Sequence, residues 1–125
     1  MMMLLVLGAC QKTEIDSEYW AIVGEWIWAE STGGIAGTTI KPSTAREKVL
    51  EFTADGQFEM TETDSLVSSG TYEIKMMKSI RSEEKLPTIV YSTEGFQQTF
   101  EIKNNELILF DEVYDGYTHR YVKPD

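Results

Sequence analysis

The chain has 125 residues, 42% of them hydrophobic and 11% aromatic, and a formal net charge of −10. That length holds one domain and not two, and the acidic balance excludes nucleic acid as a partner, because phosphate contacts need clustered lysine and arginine. One cysteine, Cys10, and one histidine, His119, exclude an internal disulfide and leave too few ligands for a Cys/His zinc site. No metal and no other cofactor is expected.

Residues 1–6 are apolar and lead into Leu7-Gly8-Ala9-Cys10. An apolar run ending in small residues reads as the tail of a secretory signal, since a spanning helix needs about twenty apolar residues. No lysine or arginine precedes the run, and it is short for a signal, as expected if the true start lies upstream of Met1. The Leu-Gly-Ala-Cys stretch resembles the lipobox of bacterial lipoproteins. The resemblance implies that residues 1–9 form a signal peptide that is removed, and that Cys10 becomes the lipidated first residue. Residues 10–18, with Lys12, Glu14 and Asp16, are polar enough for a tether. The implied address is the bacterial outer membrane, lipid-anchored, facing either the periplasm or the cell surface.

Residues 19–125 read as the folded domain. Asp16 or Ser17 can N-cap a short helix through Val23, with Ile15, Tyr19, Ile22 and Val23 on one face, and Gly24 ends it. Residues 25–31 alternate as a strand: Trp26, Trp28 and Glu30 on one face, Ile27 and Ala29 on the other. Residues 31–42 are rich in glycine and threonine. They lack a phosphate-loop spacing and read as a flexible loop over one end of the domain.

Gly24-Glu25-Trp26, after a helical turn and at the head of the first strand, resembles the Gly-x-Trp signature of lipocalins. The stretch from Trp26 to Thr38 is similar to small bacterial lipocalin-like lipoproteins. The resemblance implies an eight-stranded barrel whose base is closed by Trp26, with an arginine of the last strand packed over the indole. Arg120 stands where that arginine is needed. The barrel base would thus consist of Gly24, Trp26 and Arg120.

Further strands follow at 47–53 and 57–63, joined through Ala54-Asp55-Gly56. A three-residue loop with Gly56 in a left-handed bulge position pairs Phe52 with Phe58 and Leu50 with Met60. Residues 67–77 form the next strand, with Tyr72, Ile74 and Met76 on one face and Gly70 as a bend or bulge. A charged connector at 78–85 leads to strands at 88–92 and 96–103. Asn104-Asn105 is a two-residue turn, since both residues tolerate positive φ. It pairs Ile102 with Leu107, Phe100 with Leu109 and Gln98 with Asp111, and sets Lys103 against Glu106.

Strands at 106–113 and 117–123 complete the set. Two registers compete at Asp115-Gly116. A two-residue loop points Arg120 inward with Asp111, whereas a three-residue loop turns His119 and Tyr121 inward. The Trp26 partnership favours the first. The whole is an all-β, eight-stranded, antiparallel up-and-down barrel, lipocalin-like, with a short N-terminal helix.

A barrel of this size is filled by side chains or holds one small ligand. Trp28, Phe52, Phe58, Met60, Tyr72 and Phe100 are the candidate interior contacts, favouring an apolar molecule. The expected function is that of a lipid-anchored binding protein of the cell envelope, holding a small apolar ligand. The alternative is a filled barrel serving as a protein–protein or protease-inhibitor module. Val49, Ile89, Tyr91, Ile108 and Phe110 would then form an outward patch, unless the lead-in helix covers them. No enzyme is expected, because no nucleophile–base spacing emerges from the linear order.

Overall fold

The structure, a computed structural model, describes residues 17–34, 36–43, 47–93, 96–114 and 116–124. The expected signal peptide, Cys10 and the tether up to Asp16, with Ile15 of the expected helix face, lie outside them, and the last two tether positions, 17 and 18, open a 3-10 turn. Nine strands follow a 3-10 turn at Ser17–Ile22. They are β1 (Gly24–Gly33), β2 (Thr38–Ile40), β3 (Lys48–Phe52), β4 (Gln57–Glu62), β5 (Ser65–Lys78), β6 (Lys85–Tyr91), β7 (Gln97–Lys103), β8 (Glu106–Asp111) and β9 (Tyr117–Val122). Neighbours in the order β1-β3-β4-β5-β6-β7-β8-β9 pair antiparallel, and β1 also pairs β9, which closes an eight-stranded barrel. β2 is an extra strand on the outer half of β1, matching Ser31–Gly33 with Thr38–Ile40.

The local turn chemistry sets most registers. Gly56 at φ 86° closes the β3–β4 hairpin, and Phe52 faces Phe58 while Leu50 faces Met60. Asn104 and Asn105, at φ 52° and 67°, place Phe100 opposite Leu109 and Gln98 opposite Asp111. Thr63 and Asp64 make a second turn with two positive φ values, so β5 begins at Ser65, earlier than the sequence pattern indicates. The bulge lies at Val67 and not at Gly70, since pairing skips it between Met60–Ser68 and Thr61–Leu66. Gly70 instead lets the Phe58 ring and the Ser92 hydroxyl approach, because a Cβ there would meet Ser92 Oγ at 2.6 Å. Half of the expected loop at 31–42 is strand: β1 runs on to Gly33 and returns as β2, Thr38–Ile40.

Three strands, β1, β6 and β9, present faces that differ from the sequence expectation. In β1 the ladder with β9 skips Ala29, pairing Trp28 with Tyr121 and then Glu30 with Arg120. This bulge restarts the alternation, so Glu30 turns outward and Ser31 turns inward. In β6, Ile89 and Tyr91 pair with Ile74 and Tyr72 and are buried in the barrel, not on an outward patch. The outer side of the neighbouring β7 and β8 is covered by the 79–84 connector. There Arg81 donates to Thr99 Oγ1 (3.1 Å) and lies 3.6 Å over the Phe110 ring, and Glu112 accepts from Ser79 and Thr99.

The β8–β9 connection is longer than either short loop, and Leu109 pairs with His119. The parity is that of the three-residue alternative, so His119 and Tyr121 face inward and Arg120 faces outward. Arg120 pairs with Glu30 (3.6 Å) and Glu106 (3.2 Å) on the outer surface. The cation over Trp26 is Lys123, 4.8 Å from the ring centroid. Chain direction explains the difference: only a residue past the end of β9 reaches round the base.

The base is packed shut. Trp26 is fully buried, and its indole N–H donates to the Ile22 carbonyl at 2.8 Å. That bond ties the 3-10 turn under the barrel, and Ile22 is fully buried there as well. Tyr19 meets the edge of Phe100 at 6.2 Å. The lead-in segment is therefore a plug, not a cover for the outer surface. Tyr72 crosses to the Thr53 carbonyl (2.7 Å), and Phe52 meets its ring edge-on at 4.9 Å. The interior set inferred from alternation all belongs to this core or packs against it, joined by Ile22, Ile89, Tyr91 and Tyr121.

Candidate functional site

The upper half of the barrel is not filled. By strand alternation this end carries the 34–37 turn, the β4–β5 hairpin and the β6–β7 and β8–β9 connections. A cavity of about 350 Å³ lies there, within the range of small-molecule sites. Leu50, Phe58, Met60, Phe96, Leu109 and Tyr121 supply its apolar wall, and Lys48, Ser68 and Thr93 stand among its polar groups. Phe58 and Tyr91 meet edge-on at 4.9 Å, and Tyr91 stacks on Phe96 at 5.7 Å, so the aromatic side is held by its own contacts.

Opposite that wall is a polar relay. Ser31 Oγ and His119 Nδ1 are 2.6 Å apart, and His119 Nε2 is 3.0 Å from Asp111 Oδ1. The Trp28 indole N–H donates to Ser31 Oγ at 2.8 Å. Gln98 donates to Asp111 Oδ1 at 2.9 Å while accepting from the Tyr91 hydroxyl at 2.8 Å. The Tyr117 N–H donates to Asp111 Oδ2 at 3.1 Å. An ionised carboxylate only accepts, so His119 carries its proton on Nε2 and leaves Nδ1 to accept from the Ser31 hydroxyl. Every donor in the relay thus points toward Asp111.

The charge of Asp111 follows from this geometry. Burial works to raise its carboxyl pKa, but hydrogen bonds from His119, Gln98 and the Tyr117 N–H outweigh it, and the net shift is downward. Burial shifts the phenols of Tyr91 and Tyr121 the other way, well above the ordinary tyrosine value. The Tyr72 phenol, near the base, is raised to about 12 by burial and then by Asp55.

Tyr121 is 3% exposed, and no hydrogen bond joins its hydroxyl to another described residue. Every fully buried side-chain nitrogen or oxygen among the described residues has a partner. The Tyr121 hydroxyl therefore keeps contact with open space, and that space is the cavity it lines.

Of the six interior candidates, Phe58 and Met60 line this cavity. Trp28 reaches it through Ser31 and holds the Lys48 ammonium 4.6 Å over its ring. Phe52, Tyr72 and Phe100 belong to the filled core. Sequence reading missed Ser31, Gln98, Asp111, His119 and Tyr121 as one group. The Gln98–Asp111 register was in reach, but Ser31 depends on a bulge and His119 on a five-residue connection. Among the described residues no cluster of three or more His, Cys, Asp or Glu is placed to hold a metal ion. Comparison with known proteins found no matching family model, no matching curated protein and no matching solved structure.

Proposed function

We propose that the barrel is a binding module holding one small, mainly apolar molecule in its upper cavity. The observation that carries this reading is the half-filled interior: the base is sealed by Trp26 and Ile22, while about 350 Å³ stays open beneath the upper loops. A core that only had to fold would gain from closing that space, since an unfilled volume forfeits packing contacts. The apolar wall supplies affinity, and the polar relay with Lys48 fixes orientation. The lipocalin-like resemblance of Gly24-Glu25-Trp26 points the same way, although the cation over Trp26 is Lys123 and not the Arg120 that the resemblance implies.

The protein–protein alternative has less support. Two residues of its outward patch, Ile89 and Tyr91, are interior, and Phe110 lies under Arg81.

Anilinonaphthalene sulfonate, a small amphiphile that brightens in apolar surroundings, tests the binding reading. Native protein is expected to bind it saturably. Met60→Trp, which grows into the cavity, is expected to lower the affinity about tenfold or more, equal to about 1.4 kcal/mol. Absence of saturable binding by protein with a native near-ultraviolet dichroism spectrum would overturn the reading.

We also propose that the domain is anchored at the bacterial outer membrane through lipid on Cys10. The support is the Leu7-Gly8-Ala9-Cys10 motif after an apolar run. Expressed in a Gram-negative host, the protein should enter the detergent phase, and Cys10→Ala should return it to the aqueous phase. Detergent partitioning that survives Cys10→Ala would exclude the anchor.

A further inference from the structure

We propose that Ser31 is a nucleophile that accepts a short acyl group inside the barrel, with His119 as its general base and Asp111 as the positioning partner. The inference rests on the reading that the cavity admits small molecules, and it goes beyond binding. Three observations carry it. The β1 bulge at Ala29 turns Ser31 into the cavity, where simple alternation would have put Glu30. Bulges re-aim side chains in this way beside active sites. The Ser31 hydroxyl then lies 2.6 Å from His119 Nδ1, and the opposite ring nitrogen lies 3.0 Å from Asp111. A nucleophile within hydrogen-bond reach of a base, itself oriented by a third group, is the arrangement that activates a serine. Finally, the Tyr121 hydroxyl has no partner among the described residues and opens on the same cavity. Tyr121 stands two residues from His119 on the inward face of β9, and pairs across to Trp28 just before the bulge.

The imidazole is turned over relative to the serine-protease arrangement, with serine on Nδ1 and aspartate on Nε2. Either ring nitrogen can take the proton, so the chemistry is unchanged. The substrate class is a small ester whose acyl group packs against Leu50, Phe58 and Leu109. A lone pair of Ser31 Oγ attacks the carbonyl carbon and forms the C–O bond, while the hydroxyl proton passes to His119 Nδ1. The carbonyl π pair moves to oxygen, where the Tyr121 O–H donates to the developing charge. The carbonyl then reforms, the bond to the alkoxy group breaks, and that oxygen leaves with the proton from His119. Water attacks the Ser31 ester by the same route, releasing the acid and restoring the hydroxyl. Ester and water are consumed, and acid and alcohol are formed.

The test treats the full chain with diisopropyl fluorophosphate and maps the adduct by peptide mass spectrometry, with anilinonaphthalene sulfonate binding measured on the same preparation. A single adduct on Ser31 is expected. His119→Gln should slow its formation about 10²-fold or more. Asp111→Asn should also slow it and shift the pH profile of labelling, a readout that a purely structural role would not move. Tyr121→Phe, which keeps the ring and loses only the hydroxyl, should slow turnover of p-nitrophenyl acetate about 10²-fold in kcat. Probe binding without a Ser31 adduct would overturn the inference and leave the binding reading standing, the relay then serving only to brace the barrel. An adduct formed equally fast by a folded His119→Gln protein would also overturn it. Loss of both signals in folded wild-type protein would remove both readings.

Discussion

Trp26→Ala is expected to destabilise the protein by about 3–5 kcal/mol, the range for deleting a fully buried aromatic. The ring has no exposed surface and holds three things together. Its N–H ties the 3-10 turn through the Ile22 carbonyl, its face meets the Lys123 ammonium, and its edges fill the base beside Leu50, its partner across β3. A domain of this kind is stable by about 5–15 kcal/mol, so the loss takes a large part of the whole. In urea, with a slope of about 2 kcal/mol per molar, the midpoint should fall by about 2 M. Trp26→Phe keeps most of the buried area and loses the indole N–H, so its loss should be distinctly smaller. A Trp26→Ala loss below about 1 kcal/mol would mean that the ring does not seal the base.

Asp111→Ala should cost about 2–4 kcal/mol at neutral pH, because it strips the acceptor from three donors at once. Gln98, His119 and the Tyr117 N–H all converge on this carboxylate, whose side chain is 12% exposed. The pH dependence follows from the direction of the shift. The folded carboxyl titrates below its unfolded value of about 3.9, so the unfolded chain binds the proton more readily. The stabilisation is therefore complete above the unfolded value and is lost as pH falls through the folded one. Urea titrations of both proteins from neutrality down to about pH 3 should show the gap narrowing in acid. A gap that stays constant with pH would show that the carboxylate charge contributes nothing and that only packing was lost.

The barrel was legible where a turn fixes a register. Gly56 and Asn104-Asn105 each dictated one pairing, and the pairing then decided which face of two strands is buried. It was not legible where both faces of a strand are apolar. Residues 88–91, Thr88-Ile89-Val90-Tyr91, offer no polar side to choose, and Thr88 on one face is as buried as Ile89 on the other. The candidate site was least legible, for a related reason. A bulge adds one residue to one strand and reverses the faces beyond it, and the strand that carries it has no local sign of the count on its partner. Ser31 therefore seemed to begin a loop. His119 had even odds of either face, and the lipocalin-like resemblance tipped the choice to Arg120. Trp26 is buried at the base, and the cation over it is Lys123, which the sequence pattern did not single out.

The seam between β1 and β9 also sets the order of events in making the protein. Ile27 pairs with Val122, and Ser31 with His119, 88 residues apart in sequence. Such non-local pairing is slow to form, because the chain must close a large loop before any contact repays it. During synthesis the earlier hairpins can assemble as they emerge, but β1 waits for the last strand. Until then the sheet is open along two edges that can pair with other chains. The cavity and its relay come into being only with that final closure. A chain cut short before Tyr117 would lose the cavity and also keep a sticky margin, a hazard for quality control in the cell.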